Sequence, residues 1–453
     1  MKILIAGDGK VGATLTRQLS AEGCDLTLID SNPRVLEASM DRYDVMALCG
    51  NCASMDILRQ ADVMSADLLI AATSADEINL LCCTTAHGLN PHLHTIARIR
   101  NPEYTEQIYA MRNVFGLSLT VNPEKQAATE IERLLKYPGF LKRDTFAKGR
   151  VEIVELRVAP GGKLDHVSLH ALGGIVKCKV LVCAVLRAGT TIAPDGSFVL
   201  QAGDRVFVTA PADNLAALLK SLGIITHRVS RVMIAGGSRI AYYLARQLAK
   251  HGITVQIVER DEARCRKLAE ELPKAYVVSG DASSLSMLDS EGLAQCDALV
   301  SLTGMDELNM VISLYGNKLG VPQVITKLGR MENTNIFDGL ALGSVICPKE
   351  LCCNTITRYV RAMRNQTGAA VAVHSIADGQ AEAIEFVADE TTLHCGEALK
   401  SLHLHPGVLI VCITHGRETE IPSGNSYYLK GDTIIVVSSG NRVIYQLNDI
   451  FEG

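Results

Sequence analysis

The sequence of 453 residues predicts an α/β protein with two doubly wound parallel sheets, each followed by a small α+β domain. Three observations predict this fold class. Parts of the first half return in the second half, and in each copy short apolar runs alternate with amphipathic segments over the first ~140 residues. A β-rich pattern broken by Pro and Gly turns then follows. The chain therefore holds two copies of one two-domain unit.

The duplication is visible in stretches that keep their order and spacing. Residues 5–12 return as 234–241, 50–54 as 280–284, 73–79 as 303–309 and 200–204 as 429–432. Asp30 and Glu259 end the second apolar run of their copies. These matches predict domains at 1–140, 141–228, 229–370 and 371–453, with the last boundary near Thr367–Ala370.

Alternation of strand-like and helix-like patterns predicts the parallel sheet of the first copy. The predicted elements are the strands Lys2–Ala6, Asp25–Ile29, Val45–Leu48, Leu68–Ala72 and Thr95–Arg98, and the helices Val11–Glu22 and Glu77–His87. The small domain is predicted to contain the strands Val151–Val158, Val180–Leu186 and Arg205–Thr209, and a short helix near Asn214–Leu222.

A glycine-rich turn joins the first predicted strand to the first predicted helix, which is the context of a Rossmann-type nucleotide site. It comprises Gly7, Asp8, Gly9, Lys10, Val11 and Gly12. The first glycine permits the tight turn, the second lets a pyrophosphate approach, and the third lets helix and strand pack closely. The helix N-terminus then offers free N–H groups to phosphate.

Asp30 makes this motif more specific, because it ends the second predicted strand. A carboxylate there accepts hydrogen bonds from both hydroxyls of an adenosine ribose and repels a 2′-phosphate. The sequence therefore predicts NAD(H) rather than NADP(H) as the dinucleotide. The alternative is a structural turn with an incidental aspartate.

Further positions extend the predicted site along the carboxyl edge of the sheet. Asn51 and Cys52 follow the third strand, where an adenine ring is expected, and Thr73 and Ser74 follow the fourth. An alternative for Ser74 is a helix-capping box with Glu77.

Arg98 ends the fifth predicted strand and is expected to reach phosphate. Arg100 is expected to be an equally exposed candidate for that role, and the alternative for Arg98 is a solvated surface arginine.

The second copy has a weakened version of the motif. Its turn comprises Gly236, Gly237, Ser238, Arg239 and Ile240, followed by Ala241, so Ser238 and Ala241 replace two glycines. Glu259 keeps the ribose carboxylate, and Lys327 stands where the first copy has Arg98. Two alternatives stay open here, a second nucleotide site and a purely structural half.

Composition argues against a nucleic-acid-binding, membrane-spanning or secreted protein. A net charge of −5 provides no broad basic surface for nucleic acid, and no apolar run has the roughly 18–20 residues of a membrane-spanning helix. The N-terminus does not resemble a signal peptide, so a cytosolic protein is expected. The 14 cysteines, including Cys49 and Cys52, are expected to be reduced and mostly buried, because no second C-x-x-C pair completes a zinc site.

The motifs together resemble a known family. The turn 7–12, Asp30, the stretch 50–54, Thr73 with Asp76, Glu77 and Asn79, and Ile96–Arg98 resemble an RCK (KTN) domain. The small domain resembles the RCK C-terminal domain. Two such pairs in one chain look like the peripheral regulatory subunit of a bacterial potassium-uptake system. The resemblance implies binding of NAD(H) and of ATP or ADP, a ring-like homo-oligomer, and docking on the inner face of the membrane through a potassium channel or transporter subunit.

Two other functions are alternatives to such a nucleotide-dependent regulator. An NAD-dependent dehydrogenase uses the same fold, but it needs a proton-transfer group beside the nicotinamide, and the sequence pairs no base with a nucleophile or metal cluster. The second alternative is an RCK sensor of a different transporter. No catalytic or metal-ligating residue is predicted.

Overall fold

A computed structural model of the chain describes residues 1–136, 140–223, 229–329, 340, 342–363, 370–377, 380–439 and 444–452. The predicted boundary near Thr367–Ala370 falls largely outside these residues, and the limits of the four domains stay predictions. Every helix of the described chain is too short or too polar to cross a membrane.

The first sheet consists of six parallel strands in the order β3-β2-β1-β4-β5-β6. Its strands are β1 (Lys2–Ala6), β2 (Asp25–Asp30), β3 (Met46–Cys49), β4 (Leu68–Ala71), β5 (His94–Arg98) and β6 (Leu119–Val121). The helices are α1 (Lys10–Ala21), α2 (Pro33–Met40), α3 (Met55–Gln60), α4 (Asp76–Leu89), α5 (Pro102–Met111) and α6 (Pro123–Lys136). The five predicted strands are confirmed, and β6 was not predicted. The central strands are apolar throughout because helices cover both faces of the sheet.

The second sheet has the same topology, in the order β14-β13-β12-β15-β16-β17. Its strands are β12 (Arg231–Ala235), β13 (Thr254–Glu259), β14 (Ala275–Ser279), β15 (Ala298–Ser301), β16 (Gln323–Lys327) and β17 (Ser344–Ile346). The helices are α9 (Arg239–Lys250), α10 (Glu262–Glu271), α11 (Leu285–Ser290), α12 (Asp306–Lys318) and α13 (Pro348–Met363). Ala6 pairs with Ala71 in the first sheet as Ala235 pairs with Ser301 in the second, which confirms the duplication.

Each small domain contains a five-stranded antiparallel sheet. The first has the order β10-β9-β11-β8-β7, with β7 (Lys142–Phe146), β8 (Val151–Arg157), β9 (Leu181–Arg187), β10 (Thr190–Ile192) and β11 (Arg205–Pro211). Helices α7 (Leu172–Ile175) and α8 (Leu215–Leu222) accompany it. The second has the order β18-β19-β22-β20-β21, with β18 (Ala372–Ile376), β19 (Ala381–Val387), β20 (Val408–His415), β21 (Glu418–Glu420) and β22 (Thr433–Ser439). The three strands predicted in the first small domain are confirmed, whereas β7 and β10 were missed.

The described chain divides into two compact units, residues 1–128 with 347–360 and residues 129–346 with 361–453. In the first unit, α13 lies on α1. The Gln18 amide nitrogen donates to Asn354 at 3.3 Å, and the Cys353 thiol lies 3.7 Å from the carbonyl oxygen of Val11. In the second unit, the end of α6 lies against the second parallel sheet, where the Gln323 side chain donates to the Leu134 carbonyl at 2.9 Å. A helix from the other half of the sequence therefore packs on α1 in the first unit and against β16 in the second unit.

Candidate nucleotide-binding site

The glycine turn has the geometry that the motif predicts. Gly7 has φ of +94°, and a Cβ on it would lie 2.8 Å from the backbone nitrogen of Thr73. A Cβ on Gly12 would lie 2.0 Å from the Gly7 carbonyl oxygen. A Cβ on Gly9 would meet nothing within 4 Å. Close backbone packing thus requires glycine at positions 7 and 12, whereas Gly9 has open space above it.

Asp30 lies directly beside this turn. Its Oδ2 accepts a hydrogen bond from the Asp8 backbone N–H at 2.7 Å, and its Oδ1 accepts one from the Asn32 backbone N–H at 2.8 Å. The Asn32 side chain in turn caps α2 by accepting from the Arg34 N–H. Backbone amides therefore hold the carboxylate at the carboxyl end of β2, next to the place where a ribose would lie.

The other members of the turn have different roles. Asp8 is buried, and its Oδ2 accepts a hydrogen bond from the Ser39 hydroxyl at 2.6 Å. Burial raises the pKa of Asp8, and the Asp30 charge adds to that effect, while the Ser39 bond opposes it. Lys10 is exposed at the first position of α1, and Val11 is buried. Asp8 therefore ties the turn to α2 beneath the site, and Lys10 is left on the solvent side.

The two candidate site residues in the loop after β3 have different environments. Asn51 is exposed, and its side chain accepts a hydrogen bond from the Ala53 N–H at 3.0 Å, which fixes the loop. Cys52 is 6% exposed and belongs to the core cluster of the first parallel sheet, which also contains Cys82. A hydrogen bond with Cys82 lowers the pKa of Cys52, while burial opposes this shift. Cys52 therefore packs under the site as a small core residue, and Asn51 is the polar group at its surface.

Asn79 is a site residue that was not predicted, although it belongs to the stretch that resembles an RCK domain. It is fully buried, and its Oδ1 accepts from the Thr73 backbone N–H at 2.8 Å and from the Thr73 hydroxyl at 2.7 Å. Its Nδ2 donates to the Arg98 carbonyl at 2.8 Å. Asn309 makes the same bonds to Thr303 and Lys327 in the second copy. This amide fixes the ends of two adjacent strands, and its return in the duplication was the signal for its importance.

The predicted capping box between Ser74 and Glu77 is wrong. Helix α4 begins at Asp76 and has Ala75 as its N-cap residue, with no side-chain cap. The Asp76 carboxylate instead accepts from the backbone N–H groups of Arg100 and Asn101, both at 2.7 Å. The Arg100 guanidinium also pairs with Asp76 and donates to the Ser74 carbonyl, so this arginine is held at the start of α4.

Arg98 is not a solvated surface residue. Its side chain is 16% exposed, donates to the Thr73 carbonyl at 3.4 Å, and lies 4.0 Å from a Glu124 carboxylate oxygen. Burial, and then the nearby charge of Arg100, lower the pKa of Arg98. The buried Nε of Arg98 has no hydrogen-bond partner within the described chain. A cation with an unused donor therefore lies at the carboxyl edge of the sheet.

The second copy keeps the turn, and a side chain from α10 donates hydrogen bonds to its backbone. Gly236 has φ of +103°, and the Gly237 N–H donates to Glu259 Oε2 at 2.6 Å, as the Asp8 N–H does to Asp30. Arg264 then donates from its Nε to the Gly237 carbonyl at 2.7 Å. It also reaches the Ser238 carbonyl at 3.5 Å. Arg264 was not predicted as a site residue, because nothing in its position along α10 indicates that it reaches the turn.

The remaining candidates of the second copy are placed as follows. Ser238 caps α9 by accepting from the Ala241 N–H at 3.4 Å, whereas Arg239 is exposed and Ile240 is buried. The Lys327 ammonium donates to the Thr303 carbonyl at 2.6 Å, which parallels the contact of Arg98 with Thr73. Among the described residues, no cluster of three or more His, Cys, Asp or Glu could hold a metal ion.

Comparison with protein families identifies the two kinds of domain. The model of the TrkA-N domain matches residues 3–123 and 232–348, and that of the TrkA-C domain matches residues 153–223. The chain belongs to the TrkA family. The Trk system potassium uptake protein TrkA of Haemophilus influenzae is 31% identical over 460 residues, which cover 100% of this chain and 99% of the relative. A TrkA homolog of Archaeoglobus fulgidus is 32% identical over 451 residues, with both chains covered completely.

Solved structures confirm the tandem architecture. The GsuK RCK domain covers 97% of this chain and 92% of its own, with a TM-score of 0.61 and 17% identity. The GsuK channel bound to NAD has the same TM-score with 18% identity, and it covers 97% of this chain and 76% of its own. At these identities the likeness establishes the fold, and it confirms two RCK-type pairs in one chain. The relatives are named for potassium uptake, so family membership favours a regulatory protein over the dehydrogenase alternative.

Proposed function

We propose that the first half of this TrkA-family chain binds an adenine nucleotide, NAD(H) or ATP/ADP, and that binding regulates potassium uptake through a membrane channel or transporter subunit. The observation that carries the proposal is the Asp30 carboxylate, held by two backbone N–H groups beside a glycine turn that is open above Gly9. The names of the relatives support the potassium-uptake role.

The residues of this site fit a dinucleotide or an adenosine phosphate. Open space above Gly9 admits a pyrophosphate to the N-terminus of α1, where Lys10 adds a positive charge. Asp30 would accept the ribose hydroxyls, and the 2′-phosphate of NADP(H) would face its negative charge. Asn51 would lie beside the adenine ring. NAD, NADH, ATP and ADP all contain the adenosine ribose that Asp30 would hold.

Regulation requires that the ligand bind one conformation better than another, and a coupling of about 1–3 kcal/mol is typical of such proteins. Thr73 and Arg98 are suited to transmit a change, because Asn79 joins the turn after β4 to the end of β5. A phosphate that attracts the Arg98 guanidinium would pull it from Glu124 and from the Thr73 carbonyl. Movement at those contacts would then displace the start of α6, the helix that contains Glu124.

The partners follow from the same proposal. A ring-like homo-oligomer would dock on the inner face of the cell membrane through the channel subunit. An RCK sensor of a different transporter is the competing possibility, and it differs only in the membrane protein that co-purifies with the chain. The GsuK channel, whose structures were solved bound to NAD and to ADP, supports an RCK tandem as a nucleotide-responsive part of a channel.

Calorimetric titration of the full chain with NADH, NAD, ATP, ADP and NADPH tests the site directly. Asp30→Ala is expected to weaken the first four ligands by at least ~10-fold, because a charge-assisted bond pair is worth about 1.5–3 kcal/mol. Asp25→Ala is the matched control, since Asp25 begins the same strand at the opposite edge and is exposed. Equal affinities in the Asp30→Ala and Asp25→Ala variants would overturn the assignment.

A further inference from the structure

The two small domains of one chain share a hydrophobic core. One buried cluster contains Phe146, Ala147, Val151, Ile153, Cys183, Ala184, Leu186 and Phe207 from the first small domain, and Ile376, Ala377, Ala381, Ala383, Val411, Cys412, Ile435 and Val437 from the second. Most of these residues occupy equivalent strand positions in the two domains. The packing is therefore that of a two-fold dimer of small domains formed within a single chain.

The strand register makes the equivalence of two central positions certain. Asp144 is the third residue of β7 and pairs with Ile153 of β8, while His374 is the third residue of β18 and pairs with Ala383 of β19. Each edge strand is followed directly by a residue with positive φ, 49° at Ala147 and 51° at Ala377. In a two-fold arrangement, residues at equivalent positions near the axis face each other.

Asp144 and His374 do face each other. Oδ1 of Asp144 lies 2.9 Å from Nδ1 of His374, and the two side chains are only 12% and 17% exposed. Burial opposes the ionisation of Asp144, but the charges of Lys142 and His374 hold its pKa well below the ordinary value. The ionised carboxylate is an acceptor only, so Nδ1 of His374 donates. The His374 ring also packs on Phe146 with centroids 4.6 Å apart.

We propose that the Asp144–His374 pair determines the pairing partner of this surface: the first small domain pairs with the second domain of its own chain, and like domains of two copies are rejected. Pairing of two first domains would bring two buried aspartates together, and such like charges are strongly disfavoured. Pairing of two second domains would bring two histidines together, without the acceptor that His374 uses here. The duplicated domains have thus diverged at the axis to become complementary.

Other contacts across the interface are also unlike in the two domains, but they do not explain the choice of partner. The Gln380 side chain donates to the Gly189 carbonyl at 2.7 Å and accepts from the Thr191 N–H at 3.0 Å. The equivalent position in the first domain holds Arg150, which donates to the Gly416 carbonyl in the opposite hairpin turn. These bonds reach backbone atoms that both domains possess, so they do not discriminate between like and unlike partners. Discrimination depends on the charged pair.

A charge-swap cycle in the full chain tests the proposal. His374→Asp leaves two facing carboxylates and is expected to lower the apparent Tm by roughly 5–10 °C. Asp144→His leaves two facing histidines and is expected to lower it also. The double variant Asp144→His/His374→Asp restores an unlike pair and is expected to recover more than half of the loss. Full recovery is not expected, because Lys142 lies 3.4 Å from Asp144 and the equivalent position in the second domain is Ala372.

Mixing of the two single variants supplies a readout that a purely structural role would not change. Tagged Asp144→His chains should capture more untagged His374→Asp chains than untagged Asp144→His chains, since only the unlike mixture re-forms the pair between copies. The proposal would be overturned if the loss of Tm in the double variant equalled the sum of the losses in the two single variants. It would also be overturned if tagged Asp144→His chains captured equal amounts of both untagged chains. If a single variant fails to fold, the stability of the double variant alone decides.

Discussion

Replacing Gly12 with alanine gives the sharpest perturbation of the candidate nucleotide site. The added Cβ would lie 2.0 Å from the Gly7 carbonyl oxygen, about 1.4 Å inside the ordinary contact distance of ~3.4 Å. Neither atom belongs to a flexible side chain, so the turn must move away from α1. Overpacking of this kind costs about 1–3 kcal/mol of folding free energy. The same movement withdraws N–H groups from phosphate and should weaken nucleotide binding by at least ~10-fold.

Two alanine variants serve as controls for this prediction. A Cβ on Gly9 meets nothing within 4 Å, so Gly9→Ala should leave folding stability nearly unchanged while it fills the space that a pyrophosphate would occupy. Gly88 lies exposed within α4 and also has open surroundings, so Gly88→Ala should add about 0.5–1 kcal/mol of stability and leave binding unchanged. Thermal unfolding and calorimetric titration measure both effects. A Gly12→Ala chain with the wild-type Tm and wild-type affinity would refute the reasoning.

Three further predictions concern other parts of the chain. Asn79→Ala and Asn309→Ala should each lower the free energy of unfolding in denaturant by about 2–4 kcal/mol, because each removes a buried amide that binds two strand ends. A loss under ~0.5 kcal/mol would contradict the assigned role. Arg264→Ala should weaken any nucleotide bound by the second half, as measured by titration in an Asp30→Ala background, and it should leave the first site unchanged in an otherwise wild-type chain. Burial raises the pKa of Glu130 to about 7, with Arg133 opposing the shift. The folded state therefore binds the Glu130 proton more tightly than the unfolded state does. Up to about 3 kcal/mol of the free energy of unfolding should be lost as the pH rises from ~4.5 to ~7. The urea midpoint of Glu130→Gln should lack this part of the pH dependence.

The parts of the site that could be predicted from sequence are those that depend on local geometry. The turn 7–12 is one continuous stretch of sequence, and its backbone geometry requires glycines, so the glycines indicate the turn. Asp30 ends the adjacent strand of a parallel sheet, and the fold therefore brings its carboxylate to the turn without further assumptions. The duplication made the topology of the second copy predictable as well.

The parts that escaped prediction depend on contacts between residues far apart in the chain. Arg264 reaches the second turn from α10, and no sequence motif links residues that far apart in the chain. The capping box at Ser74 was wrong because Asp76 satisfies backbone groups of a neighbouring loop instead of those of its own helix. The position of α13 on α1 is set by packing of Gln18 and Cys353, and no local pattern in either helix indicates it.

Nucleotide-dependent potassium flux tests the central claim most directly. Vesicles that contain the membrane channel subunit of the same Trk system would be combined with the wild-type chain or with Asp30→Ala, and flux would be followed as NADH or ATP is added. The account predicts a nucleotide-dependent change in flux with the wild-type chain, and no such change with Asp30→Ala even though the variant still binds the vesicles. The same nucleotide response from both chains would contradict the account.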